Sequence, residues 1–201
     1  LTNKKTVIIY FLFFYFLFMS IHISSTSSET QQVHPNSLEA NPDFEMNGKK
    51  LIHKPSGFSR YLNTAASASV ILTHKEALLA RRNQEPEIGK LVIPGGFVEA
   101  HESLEEAAAR EVREEVIDVD INDIQYVTSS PNVYNFAGNN YHTVDPFFTL
   151  ELKEKVETIL QAEEVAASVW VPLDGTFDME EMAFDSHKKA FLAVLKKHLE
   201  K

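Results

Sequence analysis

Residues 90–118, KLVIPGGFVEAHESLEEAAAREVREEVID, run an apolar segment into two adjacent glycines and then into a stretch holding seven glutamates and two arginines. This order constrains the fold more than any other feature: a strand, a turn where only glycine passes freely, and a helix carrying concentrated like charge. Ser103 followed by Glu106 is a capping-box pattern, so the spacing predicts a helix that begins at Ser103 and runs through LEEAAAREVREEV. Counted from Glu111 at about 100° per residue, Leu104, Ala108, Val112 and Val116 fall at roughly 20°, 60°, 100° and 140°. They form the expected core stripe. Glu106, Arg110 and Arg113 fall at roughly 220°, 260° and 200°, where a solvated face belongs, and Glu106–Arg110 and Arg110–Glu114 have favourable i,i+4 spacing.

Three acids do not belong to that solvated face. Glu115 comes at roughly 40°, within the apolar stripe, and Glu111 and Glu114 border it near 0° and 300°. Their i, i+3, i+4 spacing lets the carboxylates converge. Like charges drawn partly out of water repel one another and favour protonation unless a cation compensates. An all-oxygen donor set selects a hard divalent ion, Mg²⁺ or Mn²⁺, which commonly keeps waters and takes substrate phosphates as further ligands.

The rest of the composition agrees with a cation-bearing site. A formal charge of -10 argues against a surface built for nucleic acid or an acidic membrane, and the absence of cysteine excludes disulfides, thiolate zinc and a cysteine nucleophile. At 201 residues the chain has room for one main domain and a small appendage.

Residues 1–23 form a separate hydrophobic segment, with Lys4 and Lys5 ahead of an apolar run from Val7 to Met19. The run suits a signal peptide or short anchor, is near the lower limit for crossing a bilayer, and lacks a small-residue cleavage site. A mis-assigned start, with translation beginning at Met19, is the other reading. The expected location is cytoplasmic, or membrane-anchored or exported if residues 1–23 are translated and functional. Residues 24–63 are polar, contain Pro35, Pro42, Gly48, Pro55 and Gly57, and show no sustained period, so they read as a linker or loop-rich module.

From residue 64 onward, ASASVILT and ALLARR read as a hairpin around HKE, and KLVIP as a further strand. IQYVTS, TVDPFFTLEL and AASVWVPL are strand candidates, and SHKKAFLAVLKKHLEK is an amphipathic closing helix. Strands around two helices predict an α/β layered domain over residues 64–201.

The pattern Gly96-x5-Glu102-x7-Arg110-Glu111-Val112-x-Glu114-Glu115 resembles the Nudix box. The likeness extends over about residues 64–199 through KLVIPGGF and VAASVWVPL. It implies a Nudix-type α/β/α sandwich with a mixed sheet and metal-dependent hydrolysis of a nucleoside diphosphate linked to a further group. By position, the resemblance makes Glu111, Glu114 and Glu115 metal ligands, aided by a Gly95 or Gly96 carbonyl, and makes Arg110 and Glu102 a brace. Glu114 serves as general base, or a later loop acid does so, Glu163 or Glu164. Arg82, Phe97, Tyr134 and Phe147 are the substrate-binding candidates, within a wider aromatic set that includes Phe136, Tyr141 and Phe148. His142 reads as structural or surface.

The chain departs from the box at its end, where Ile117 and Asp118 replace the expected glycine and apolar residue. A β-branched residue at a left-handed helix exit is disfavoured, so a rebuilt exit is expected, with Val119 or Ile121 supplying the apolar contact. HPNS at 34–37 and HKPSGF at 53–58 resemble the scaffold of a zinc ribbon found ahead of the box in some relatives, including NADH pyrophosphatases. With His34 and His53 and no cysteine, no structural zinc is expected. SSPNVY stands where those enzymes carry Ser-Gln-Pro-Trp, so NADH specificity is not supported. The expected partner is a small nucleotide substrate rather than nucleic acid, with membrane contact only through residues 1–23; a homodimer is compatible with all of this. The competing expectation is a Nudix-fold module that binds a nucleotide or a protein without turnover.

Overall fold

A computed structural model describes residues 41–61, 63–116, 120–136, 139–156 and 164–200. Their contacts divide into two units, one of residues up to Thr64 together with 133–142, the other of 65–132 together with residues from 143 onward. The hydrophobic N-terminal segment, His34, Ile117, Asp118, Val119 and Glu163 lie outside the described residues.

In the first unit, the described part of the stretch without a sustained period holds three short strands in an antiparallel sheet, β1 (Phe44–Asn47), β2 (Lys50–His53) and β3 (Ser59–Tyr61), joined by turns. Strands of three or four residues are too short to display a period. Gly48 and Gly57 take the left-handed conformation in the two turns. The Gly57 N–H donates to the His53 carbonyl at 2.9 Å, and His53 Nδ1 lies 2.7 Å from Ser56 Oγ. This histidine serves its own turn.

The second unit holds a mixed sheet of β4 (Ala65–His74), β5 (Glu76–Arg82), β6 (Leu91–Val92), β7 (Gly95–Phe97), β8 (Gln125–Phe136), β9 (Asn139–Glu151) and β10 (Val165–Pro172), except that the residues of β8 and β9 within 133–142 belong to the first unit. The main strand order is β10-β5-β4-β9-β8, with β6 added to β5 and β7 to β4. β4 runs parallel to β9, whereas its edge on the other side is shared by β5, opposite Leu72–His74, and by β7, opposite Ser67–Ser69. That sharing brings the glycine pair into the middle of the sheet.

Period-2 alternation sorts the sheet residues onto two faces. Val70, Leu72, Leu78 and Phe148 pack with α1 (Leu104–Glu115) through Ala107, Ala108, Ala109, Val112 and Val116. Ile71, Leu79, Phe147 and Val171 pack with Ala190, Phe191 and Val194 of α2 (Asp185–Leu199). The three-layer α/β/α arrangement therefore follows from the sequence pattern. One stripe residue is misplaced, since Leu104 is 36% exposed. The face that meets β4 is carried by small alanines, which admit a close approach, and Leu104 in the first turn falls outside it. Among the described residues no helix is long and apolar enough to cross a membrane.

Candidate metal-dependent active site

The site begins with a glycine constraint. Gly95 has φ +149°, and a Cβ there would meet the Ala68 carbonyl and Ser69, whose Cα would lie 2.5 Å away. A Cβ on Gly96 would lie 2.5 Å from Glu111 Oε1 and 2.7 Å from its Cδ. The Glu111 carboxylate thus rests directly on the Gly96 backbone, and a side chain at that position would have to displace it. One turn further on, Glu115 Oε2 accepts from the Gly95 N–H at 3.3 Å.

The helix entry is fixed by the predicted capping box: Ser103 Oγ accepts from the Glu106 N–H at 3.1 Å, and Glu106 Oε2 accepts from the Ser103 N–H at 2.7 Å. Glu106 is used there. Arg110 does not lie on a solvated face as its angle suggested, because its long side chain folds back into the loop. It donates to Glu102 through Nε at 3.1 Å and Nη2 at 2.8 Å, and Nη2 also donates to the Phe97 carbonyl at 3.0 Å. Its Nη1 reaches Glu111 at 2.7 Å and Glu114 at 3.4 Å. Glu102 in turn accepts from the Glu99 N–H at 2.6 Å. The pair ties the loop after β7 to the middle of α1.

Burial divides the acids electrostatically. The Arg110 hydrogen bonds hold the Glu102 carboxyl below its ordinary value and push the guanidinium up. Glu111 is raised to about 7, mainly by desolvation, with Glu114 and Glu164 adding repulsion against the opposing pull of Arg110. Glu115 is raised to about 8 by desolvation first, then by Glu111 and Glu164. Glu114 is half exposed, and Glu164 is exposed just ahead of β10, with its carbonyl held by the Asn83 N–H at 2.9 Å. The structure therefore brings four predicted acids, Glu111, Glu114, Glu115 and Glu164, into one electrostatic neighbourhood. Among the described residues no three acidic or imidazole side chains close on one point as a preformed metal cage. An oxygen-only cluster partly withdrawn from water fits a hard cation that completes its coordination with water and phosphate.

The substrate-binding candidates separate. Phe147 is fully buried with its ring edge-on to His187, centroids 5.1 Å apart, and Phe148 is buried on the α1 side. Aromatic residues on alternating core faces have no face left for a base, so Phe147 is corrected to a core residue. Arg82 donates to the carbonyls of Pro86 at 2.6 Å and Gln84 at 3.3 Å and stacks over Phe184 at 5.4 Å, bracing its own loop. Phe97 is partly buried in β7 and lends its carbonyl to Arg110. Tyr134, half-buried, and Tyr141, buried, belong to the first unit; His142 is exposed, and the Phe136 side chain is outside the described residues.

A buried polar group on the α2 side escaped the sequence reading. Asp145 is 3% exposed and accepts from Ser67 Oγ at 2.9 Å and Ser186 Oγ at 2.8 Å. Next to it, His187 Nδ1 accepts from the Ile93 N–H at 3.0 Å. Burial and then Arg82 pull the His187 ring down, against Asp145, to about 4. The one available signal was Asp145 itself, a charge inside the apolar run TVDPFF.

The NUDIX domain family model matches residues 63–194. An ADP-ribose pyrophosphatase of Methanocaldococcus jannaschii is 39% identical over 70 residues, 33% of this chain and 41% of the relative. An NAD-capped RNA hydrolase NudC of Stutzerimonas stutzeri is 37% identical over 83 residues, 41% of this chain and 30% of the relative. These matches span less than half the length of either curated relative. A crystal structure of a MutT NUDIX hydrolase from Burkholderia pseudomallei shares the fold, with a TM-score of 0.56 and 20% identity over 66% of this chain and 98% of that one. The glycine-backed carboxylates and their arginine brace thus stand inside the matched region of a chain that belongs to the NUDIX domain family.

Proposed function

We propose that this protein hydrolyses a pyrophosphate bond in a nucleoside diphosphate linked to another moiety, using Mg²⁺ or Mn²⁺. The observation that carries the reading is the pair Glu111 and Glu115, pressed against the Gly95–Gly96 backbone and raised to about 7 and about 8 without a cation. Carboxylates in that condition gain most from a divalent ion. Glu111, Glu114 and Glu115 would hold it, with a carbonyl of Gly95 or Gly96. Bound there, the ion supplies charge neutralisation for the pyrophosphate and lowers the pKa of a water.

The protein's own contribution is placement. Arg110 and Glu102 keep the loop after β7 and the acidic turns of α1 in fixed relation. The general base is drawn from Glu114 and Glu164, both exposed enough to reach a water. The test is a panel of ADP-ribose, NADH, diadenosine polyphosphates, nucleotide sugars and oxidised dNTPs with Mg²⁺ or Mn²⁺, reading phosphorylated products. ADP-ribose stands first because one relative carries it in its name. Turnover that depends on the cation and is lost in Glu111→Gln is expected. No turnover on any substrate at any metal level would favour the nucleotide-binding module instead, and comparing Glu114→Gln with Glu164→Gln assigns the base.

A further inference from the structure

We propose that His187, on α2 and on the far side of the sheet from the acidic helix, is a positioning residue that holds the Ile93–Gly96 backbone in register for Glu111 and Glu115. β6 ends its pairing with β5 at Val92, and β7 begins its pairing with β4 at Gly95. Ile93 falls between the two ladders. It is 1% exposed, so its N–H needs a protein acceptor, and His187 Nδ1 supplies one at 3.0 Å. Pro94 has no N–H, and its carbonyl accepts from the Val70 N–H at 2.9 Å. The next two residues are the glycines on which the two buried carboxylates rest.

The ring is itself held. Phe147 meets it edge-on at 5.1 Å, Phe184 lies at 5.4 Å, and the neighbouring Ser186 is anchored on Asp145. Because the backbone N–H donates to Nδ1, that nitrogen must carry the lone pair and the proton must sit on Nε2. The imidazole therefore acts as a neutral acceptor at a fixed point. It touches no substrate and works only through the strand it anchors. A displacement of that strand moves the surface against which Glu111 and Glu115 are set.

The inference rests on the hydrolase reading only for its turnover arm. In the full 201-residue chain, His187→Asn keeps an acceptor near the Nδ1 position, whereas His187→Gln moves it outward and His187→Leu removes it. Three readouts apply: amide hydrogen exchange at Ile93 and Gly95, Mn²⁺ titration without substrate, and kcat and KM. Expected for Leu and Gln are faster exchange at both amides, Mn²⁺ affinity weakened on the order of ten- to a hundredfold, and a fall in kcat with KM little changed. His187→Asn should restore exchange protection and Mn²⁺ affinity. Should the Leu variant fail to fold, the Asn and Gln contrast decides. Wild-type Mn²⁺ affinity in a folded Gln variant with fast Ile93 exchange, or an Asn variant no better than Gln, overturns the proposal. Lack of turnover in the wild-type protein would sink the hydrolase reading, while exchange and Mn²⁺ titration would still judge His187.

Discussion

Replacing Arg110 by Met tests whether the brace is structural before it is catalytic. The guanidinium satisfies both oxygens of Glu102, one of Glu111 and the Phe97 carbonyl, at 2.7 to 3.1 Å. The side chains of Glu102 and Glu111 are 14% and 13% exposed, so the substitution leaves two sheltered carboxylates without their cation. Breaking a buried pair by removing one partner costs about 3–5 kcal/mol. Arg110 keeps 23% of its side-chain exposure and Glu114 keeps 48%, which screens part of that loss. About 2–4 kcal/mol remains, or a fall in Tm of roughly 6–12 °C at about 3 °C per kcal/mol for a domain of this size.

The assay is thermal unfolding in chelator, so that no cation contributes. Arg110→Lys should fall between Met and wild type, because a lysine keeps the charge but loses the two-point grip on Glu102. The pH dependence adds a sign. Glu102 is held below its ordinary 4.5 first by its Arg110 hydrogen bond, so its contribution is present above 4.5 and is lost as pH falls through the depressed folded value. The gap between wild type and Arg110→Met should therefore narrow as the pH is lowered below 4.5. A Met variant within about 1 °C of wild type at pH 7, well inside the shift expected from the lost pair, would refute the reasoning.

Other perturbations probe different parts. Gly96→Ala puts a methyl 2.5 Å from Glu111 Oε1, so the carboxylate must move; cation half-saturation should rise by on the order of ten- to a hundredfold, measured by Mn²⁺ titration. In metal-free protein, Glu111 and Glu115 have folded values of about 7 and about 8 against an ordinary 4.5, so the unfolded chain sheds these protons first. Stability should accordingly drop as pH rises from 4.5 to about 8, and Mg²⁺ should raise Tm more at pH 8 than at pH 5.5; a flat metal-free profile counts against the buried acids. Phe147→Ala should cost about 3–5 kcal/mol by denaturant titration, with KM unchanged in the protein that stays folded, whereas a base clamp would raise KM.

Much of this architecture could be read in the chain because local rules coincided. ASASVILT and PFFTL alternate between two apolar faces, and Ser103 with Glu106 announces a helix start that the structure keeps to the residue. Helical angle suggested that Glu111, Glu114 and Glu115 converge, and the box spacing from Gly96 to Glu115 decided the reading. The brace of Arg110 came from the box and not from its angle, because an angle gives the direction of Cβ and says nothing of where a long side chain ends. Leu104 failed for a related reason: a helical stripe continues by arithmetic past the point where the sheet stops facing it. His187 was invisible, since its partner is a backbone N–H distant in sequence, created where one strand exchanges neighbours. The short strands β1 to β3 lay below the length at which any period shows.

The two kinds of acid on and just before α1 give the strongest physical reason to regard the cluster as functional. Glu106 closes the cap and Glu102 meets Arg110, so each has a partner that repays its placement. Glu111 shares Arg110 with two other carboxylates and is still raised, and Glu115 has one backbone N–H at 3.3 Å. Near neutral pH these two oppose folding of the metal-free chain. A sequence that needed only a stable helix would place alanine or leucine there, as it does at Ala107, Ala108 and Ala109 on the adjacent buried surface. Local rules are broken at these positions with only partial compensation from within the protein, and such breaks are expected where a ligand completes the structure. Under the proposed function, a hydrated divalent ion carrying a pyrophosphate would supply the positive charge and oxygen-ligand chemistry that these carboxylates lack at their glycine floor.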